Sequence, residues 1–402
     1  MKNEIKLAAT SVFGVEAVVG RELDWLGYGN TTEIDNGRVT FGGDLSSICR
    51  SNLWLRTAER VLLKMGEFTA VTFDQLFEGT KVLPWGDWLP ENAAFPVQAS
   101  SLDSKLSSVP DCQAIIKKAI VEKLKQKYHK QSWFEENGPV YAIETLILKD
   151  KVRICIDTSG TGLHKRGYRI LTGEAPLRET MAAAMLYISR WKGGRVLLDP
   201  FCGTGTIPIE AALISVNVAP GLKRGFAAEK WPDIPEKLWK DAREEALDLR
   251  LPRPKEAFIE GSDFDEKVLS LAAFHAGRAG VSDLLRLKKR AFIETFPKNE
   301  YGFIVCNPPY GERMGNVREI DELYKQMPLV FKRLTTWSFY VLTSTPEFET
   351  IMGKKADKRR KLNNGRIICN YYQYFGPKPP PSYKGQQSMS TANGYSQKEI
   401  DE

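Results

Sequence analysis

The first third of the chain alternates short apolar runs with stretches of helical period. Ile5 to Thr10 predicts a strand, and Phe13 to Leu26 spaces Val15, Val18, Val19, Leu23 and Leu26 as one face of a helix. Gly27 and Gly29 stop that helix. Val39 to Phe41 predicts a strand after the Asn36-Gly37 turn, Leu45 to Leu55 a second helix, and Arg60 to Phe68 a further strand. This β-α-β-α-β order predicts a small α+β sandwich, with Trp54, Trp85 and Trp88 in its core or hinge. Phe95 to Ser100 predicts a strand, and Pro110 opens a helix that runs through Lys127. Ala114, Ile115, Ala119, Ile120 and Leu124 form its apolar face; Lys117, Lys118, Lys123, Lys125 and Lys127 take much of the rest. Val140 to Leu148 and Val152 to Asp157 predict a hairpin turning at Lys149 to Lys151.

From residue 176 the pattern changes. Val196 to Leu198, Ala257 to Asp263, Leu285 to Lys289, Tyr301 to Cys306 and Trp337 to Thr343 predict strands, several of them wholly apolar, as in a parallel sheet covered on both faces. Helices are expected between them: Glu174 to Met185, Ile207 to Ile214, Glu266 to Arg278 with Asp265 as N-cap, and Ile320 to Leu334. Arg366 to Phe375 alternates and suits a closing antiparallel hairpin. Asn217 to Pro254 is an insertion carrying an amphipathic helix from Glu236 to Leu249; it could shape a substrate rim or pack as an extension. Pro377 to Glu402 lacks a hydrophobic face and is expected to be loosely attached.

Composition narrows the function. The 402 residues suggest two or three domains, and 42% hydrophobic with 27% charged content fits a globular chain. The polar start and the lack of a long apolar run point to the cytoplasm. Six scattered cysteines without C-x-x-C read as reduced packing residues, and three scattered histidines give no metal-ligand spacing. The net charge of +7 leans towards a polyanionic partner.

Two turns carry the chemistry. Val196 to Asp199 runs into Pro200-Phe201-Cys202-Gly203-Thr204-Gly205, a strand, a glycine turn and a helix whose free N–H groups suit a cofactor. Where a dinucleotide fingerprint wants a third small residue stands Pro208, which argues against a nicotinamide enzyme. The acid before the turn makes D-P-F-C-G-T-G-T resemble motif I of class I S-adenosylmethionine-dependent methyltransferases. The second turn, Asn307-Pro308-Pro309-Tyr310, resembles the catalytic motif of methyltransferases acting on an exocyclic base nitrogen. Such an NH2 is a poor nucleophile, because its lone pair is delocalised into the ring. The Asn307 amide oxygen and the Pro308 carbonyl can each accept one of its hydrogens, and Tyr310 offers a face for an extruded base.

Phe95 to Ser101, Ser108 to Gln113, Asp157 to Gly160 and Leu163 to Arg169 resemble the THUMP-domain RNA methyltransferases, over essentially the whole ordered chain. The resemblance implies an α/β chain. A ferredoxin-like segment (1–65), a THUMP RNA-binding domain (66–160) and a connector (161–175) would precede a Rossmann-like catalytic domain (176–380) with a C-terminal antiparallel hairpin, and a tail (381–402) would follow. It implies S-adenosyl-L-methionine as cofactor, held by Asp199, Phe201, Gly203, Thr204, Gly205, Asp263 at the ribose, Phe264 at the adenine and Thr180 near the methionine end. Where the family often has an acid after the third strand, this chain has Lys289, Arg290, Ala291 and Phe292. Catalysis falls to Asn307, Pro308, Pro309 and Tyr310. RNA contacts are expected from Lys117, Lys118, Lys165, Arg166, Arg313, Lys358, Arg359 and Arg360, the last three within the dense run Lys354 to Lys361. Asn307-Pro-Pro-Tyr-Gly-Glu-Arg313 most resembles enzymes making N2-methylguanine in large-subunit (23S) ribosomal RNA, some of which carry a second methyltransferase domain; the chain is expected to lack one. An adenine-N6 DNA methyltransferase and a non-catalytic RNA-binding ribosome-assembly factor remain the alternatives.

Overall fold

The computed structural model describes residues 4–170, 177–254, 258–310, 317–365, 367–380 and 383. Pro176, Ala257, Arg313, Arg366 and the 384–402 tail lie outside the described residues. Among the described residues the strands form two seven-stranded sheets.

The N-terminal half contains β1 (Ile5–Thr10), α1 (Glu16–Trp25), β2 (Glu33–Asp35), β3 (Arg38–Gly43), α2 (Leu45–Trp54), β4 (Arg60–Thr69), α3 (Phe73–Lys81), β5 (Val97–Leu102), α4 (Val109–Tyr128), β6 (Ile143–Leu148) and β7 (Lys151–Asp157). Its order is β2-β3-β1-β4-β7-β6-β5. The ferredoxin-like and THUMP segments therefore share one continuous sheet. The reason is β4, which pairs with β1 through Arg60–Leu63 and with β7 through Leu62–Thr69. The boundary expected between residues 65 and 66 falls inside this strand. The predicted hairpin of β6 and β7 forms, with Lys149 and Asp150 at positive φ in its turn. Helix α2 starts at Asp44, whose carboxylate accepts from Ser47 N–H while the Ser47 hydroxyl bonds back, a capping box. Trp54, Trp85 and Trp88 are core residues.

The catalytic half follows with α5 (Glu179–Ile188), β8 (Val196–Asp199), α6 (Thr206–Ser215), α7 (Glu236–Asp248), β9 (Ile259–Asp263), α8 (Glu266–Ala279), β10 (Leu285–Lys289), β11 (Gly302–Cys306), α9 (Val317–Arg333), β12 (Ser338–Thr343), α10 (Phe348–Met352), β13 (Lys358–Asn364) and β14 (Ile367–Tyr374). Its order is β10-β9-β8-β11-β12-β14-β13. Five strands run parallel, and β14 and β13 close the sheet antiparallel, as the alternation predicts. The chain moves outward from β8 to β10 and then returns to β11. The order thus reverses between β8 and β11, the point where open α/β sheets bind ligands at their strand C-termini.

The insertion is a packing extension that clasps both N-terminal segments. Helix α7 lies on α2, where Arg50 donates to both Glu245 carboxylate oxygens at 2.8 Å. Trp231 stacks on Tyr141, with centroids 4.4 Å apart and planes at 16°, and donates its indole N–H to the Val140 carbonyl at 3.0 Å. Arg56 reaches the Val218 carbonyl, and Arg224 bonds the carbonyls of Thr161, Gly162 and Lys165. All six cysteines are free and buried. No helix of the described residues is long and apolar enough to cross a membrane.

Candidate active site

Strands β8 and β11 are parallel neighbours, with Leu198 opposite Ile304, so Asp199 falls opposite Val305 and Asn307 follows two positions further along, both at the C-terminal edge of the sheet at the switch point. After Asp199 the chain turns through Gly203 (φ +50°) and Gly205 (φ +85°), both left-handed. A side chain at Gly205 would meet Ala272 of α8 at 3.0 Å, so glycine there lets α8 pack tightly under the turn. A side chain at Gly203 would meet nothing within 4 Å; this is the open face of the turn. Thr206 opens α6, and Pro208 sits in its first turn, where its missing N–H costs no helical bond.

Three acids surround this turn. Asp199 is buried and accepts only the Phe201 N–H, at 3.1 Å, among the described residues. Burial pushes its carboxyl well above the usual range, and nearby Asp263 adds to the shift. Asp263 ends β9 and is also raised, first by burial, against the N–H groups of Asp265 and Gly203 that it accepts. A cationic ligand would relieve both desolvated carboxyls. Asp265 caps α8 by accepting the Lys267 N–H at 2.8 Å, as its sequence position predicts. Phe264 is 65% exposed beside an open hollow of about 450 Å³ lined also by Asp265, Glu266, Lys267, Ser270 and Lys289. Phe201 stacks on Phe292, 4.8 Å between centroids. The missing family acid is replaced by basic residues held elsewhere: Lys289 pairs with Glu266 at 3.0 Å, Arg290 with Glu260 at 2.8 Å. The open glycine turn, the two carboxyls and the exposed ring fit S-adenosylmethionine.

At the second turn, Asn307 follows β11, and its side-chain Oδ1 is buried without a hydrogen-bond partner among the described residues. Buried acceptors are rarely left unpaired, so an orphan just past a strand end at the switch point points to a ligand group. Tyr310 corrects the expected open stacking face. It is only 2% exposed, and its hydroxyl accepts from Asn364 Nδ2 at 2.8 Å and from Cys369 Sγ at 3.4 Å. The ring thus fastens the turn to the β13–β14 hairpin.

Other expectations also change. The Thr180 hydroxyl is spent on Glu59, which also takes Arg178 at 3.0 Å, so Thr180 ties α5 to the N-terminal half. Arg166 is not an RNA contact: it is 3% exposed, donates to the carbonyls of Leu163 and Arg56, and lies 3.6 Å from the buried Glu210. Tyr168 and Arg169 share that buried connector, bonding Glu210 and Thr206 respectively. Lys117 is held by the Phe95 carbonyl and by Glu136 at 2.6 Å. Lys118 and Lys165 are exposed. Lys358, Arg359 and Arg360 belong to the edge strand β13; Arg359 lies 3.5 Å from Glu349, and Arg360 donates to the Gly14 carbonyl. Two supports escaped the sequence reading. His275 Nδ1 lies 3.2 Å from the Thr204 carbonyl, beneath the turn, and Glu59 acts as the clasp described above.

The reversed parallel sheet, glycine turn, paired carboxyls and strand-end Asn307 define a class I methyltransferase, with S-adenosylmethionine as its cofactor. Residues 166–373 match the family described as RMKL-like, methyltransferase domain, and the chain belongs to it. Residues 6–62 match the RlmL ferredoxin-like domain and residues 70–157 the THUMP domain. A Bacillus subtilis (strain 168) protein named "Putative RNA methyltransferase YpsC" is 47% identical over 383 residues, 95% of this chain and 99% of that one. A Psychromonas ingrahamii protein named "Ribosomal RNA large subunit methyltransferase K/L" is 33% identical over 374 residues, 91% of this chain and 50% of that protein. The solved structure of "SMU.472, a putative methyltransferase complexed with SAH" superposes with a TM-score of 0.88 at 42% identity, covering 94% of this chain and 100% of that one.

Proposed function

We propose that this S-adenosylmethionine-dependent RNA methyltransferase modifies an exocyclic base nitrogen, guanine N2 of large-subunit (23S) ribosomal RNA, in the cytoplasm. The observation that carries the reading is the unpartnered buried Oδ1 of Asn307 just past the end of β11, the strand that neighbours β8 at the switch point. The names of the Bacillus and Psychromonas relatives support RNA, and the second supports the large subunit.

The cofactor supplies an electrophilic methyl group. Gly203, Thr204 and Gly205 would give it a backbone cradle, Asp263 would accept from its ribose, Phe264 would cover its adenine, and Asp199 and Phe201, at the start of the glycine turn, would complete the site. Asn307 Oδ1 and the Pro308 carbonyl accept the two amine hydrogens and draw the nitrogen lone pair out of conjugation. Pro309 and Tyr310 hold that turn in shape, Tyr310 through Asn364. Positioning of the amine and exclusion of water account for the rate. Lys118, Lys165, Lys358 and Arg359 meet RNA phosphates.

The test is nucleoside mass spectrometry of 23S ribosomal RNA before and after reaction with the pure protein. One new N2-methylguanine is expected in RNA from cells lacking the gene. N6-methyladenine in its place would overturn the base assignment, and methylation of duplex DNA alone would overturn the RNA reading.

A further inference from the structure

The loop between β1 and α1 presents Phe13 to solvent, 55% exposed, while the residues around it are tightly fixed. Ser11 N–H donates to the Gly37 carbonyl at 2.8 Å, and the Glu16 carboxylate accepts from Gly14 N–H at 2.8 Å and from Gly37 N–H at 3.0 Å. Gly14 has φ +88°, and a side chain there would lie 2.5 Å from the Lys361 carbonyl. The N-terminal loop is therefore seated directly on β13 of the catalytic half, and Arg360 donates to the Gly14 carbonyl at 3.2 Å to hold it.

That seat is close to the chemistry. Three residues beyond Lys361, Asn364 donates to the Tyr310 hydroxyl of the Asn307–Tyr310 turn. At a rise of about 3.3 Å per residue, the seat and this bond are roughly 10 Å apart along β13. The strand is the outer edge of its sheet, and it exposes Lys358, Arg359 and Lys361. An exposed ring carried on a fixed loop beside a cationic edge suits a ligand with flat apolar faces and a polyanionic backbone. Unpaired nucleotides have that combination.

We propose that Phe13 is a stacking platform for an unpaired base of the RNA substrate near the target nucleotide, with Lys358 and Lys361 of β13 taking the adjoining phosphates. The ferredoxin-like segment thereby contributes directly to the substrate cleft. The inference rests on the RNA reading above. It also accounts for the tight seat of Gly14 on β13, since a platform is useful only if its distance from the reacting base is fixed.

The test uses the full-length protein and 23S ribosomal RNA lacking the modification. Phe13→Ala should raise the KM for RNA about tenfold, within the range that base–aromatic stacking supplies, with kcat at saturating RNA little changed. Phe13→Tyr and Phe13→Trp should restore the wild-type KM, whereas Phe13→Leu, apolar but not aromatic, should not. Affinity for S-adenosylmethionine should be the same in all four. Replacing Lys358 and Lys361 by Ala should lower the slope of log affinity against log salt by about 2. A Phe13→Ala enzyme with unchanged KM, or a Phe13→Leu enzyme as good as Phe13→Tyr, would overturn the platform while leaving RNA methylation intact. Absence of RNA methylation by the unaltered protein would overturn the proposed function, and the platform with it.

Discussion

Replacing Trp231 tests whether the insertion holds the two halves together. Its ring is 1% exposed, stacks on Tyr141, meets Trp88 edge-on at 6.4 Å and bonds the Val140 carbonyl. Truncating a buried Trp to Ala costs about 3–5 kcal/mol through lost burial and the cavity left. The stacked pair adds about 0.5–1.5 kcal/mol, and the hydrogen bond about 1 kcal/mol. These contributions overlap, so about 4 kcal/mol is the expected loss for Trp231→Ala. Trp231→Phe keeps a ring against Tyr141 and loses the indole N–H. Val140 is half exposed, so water replaces that donor, and the cost should be about 1 kcal/mol. Chemical denaturation followed by circular dichroism measures both, and calorimetry should find cofactor affinity unaltered, because the glycine turn lies elsewhere. A loss below about 1 kcal/mol for the Ala variant, or equal losses for Ala and Phe, would refute the clasp.

Arg166→Ala should destabilise the protein by about 3–5 kcal/mol, because it leaves Glu210 buried without its cation, and the salt dependence of RNA binding should not change; a flattened salt slope in a stable variant would return Arg166 to the RNA surface. Tyr310→Phe should cost about 1–3 kcal/mol in denaturant melts, since the buried Asn364 amide loses its acceptor; an unaffected melt would contradict that bond. Burial raises the Asp199 and Asp263 carboxyls, so the folded ligand-free protein retains protons that the unfolded chain releases, and its stability should fall as pH rises through the raised values. Their ionised forms favour the sulfonium, so S-adenosylmethionine affinity should strengthen over the same window, and more steeply than that of uncharged-sulfur S-adenosylhomocysteine; calorimetry from about pH 5 to pH 8 giving parallel profiles for the two would exclude this effect.

Local pattern carried the elements that bury one clear face. The strands at Ile5, Arg60, Val196 and Ser338, and the helices starting at Leu45 and Glu236, lie within a few residues of their predicted bounds. It missed α3, where only Leu76 and Thr80 of nine residues are buried, and the three-residue β2, which buries none of its residues. The turn residues Gly203, Gly205 and Asn307 were legible because their roles are local: a backbone conformation and a strand end. Roles fixed by distant partners were not. Arg166 reads as a surface cation until Glu210 arrives from α6, and Tyr310 reads as an open ring until Asn364 and Cys369 arrive from 54 and 59 positions away. The joined N-terminal sheet has the same origin: β4 looks like the end of one domain, and only its pairing with β7 makes it the start of the next.

In the proposed mechanism the unpartnered Asn307 amide oxygen receives the reacting amine. The direct measurement is single-turnover methyl transfer to ribosomal RNA by Asn307→Ala, beside its affinity for S-adenosylmethionine. Loss of one preorganised hydrogen-bonding group in an active site typically removes about 2.7–4 kcal/mol of transition-state stabilisation, so the rate should fall roughly a hundred- to a thousandfold while cofactor affinity stays near that of the unaltered protein. Transfer at an undiminished rate, or a rate lost only because the cofactor no longer binds, would contradict it.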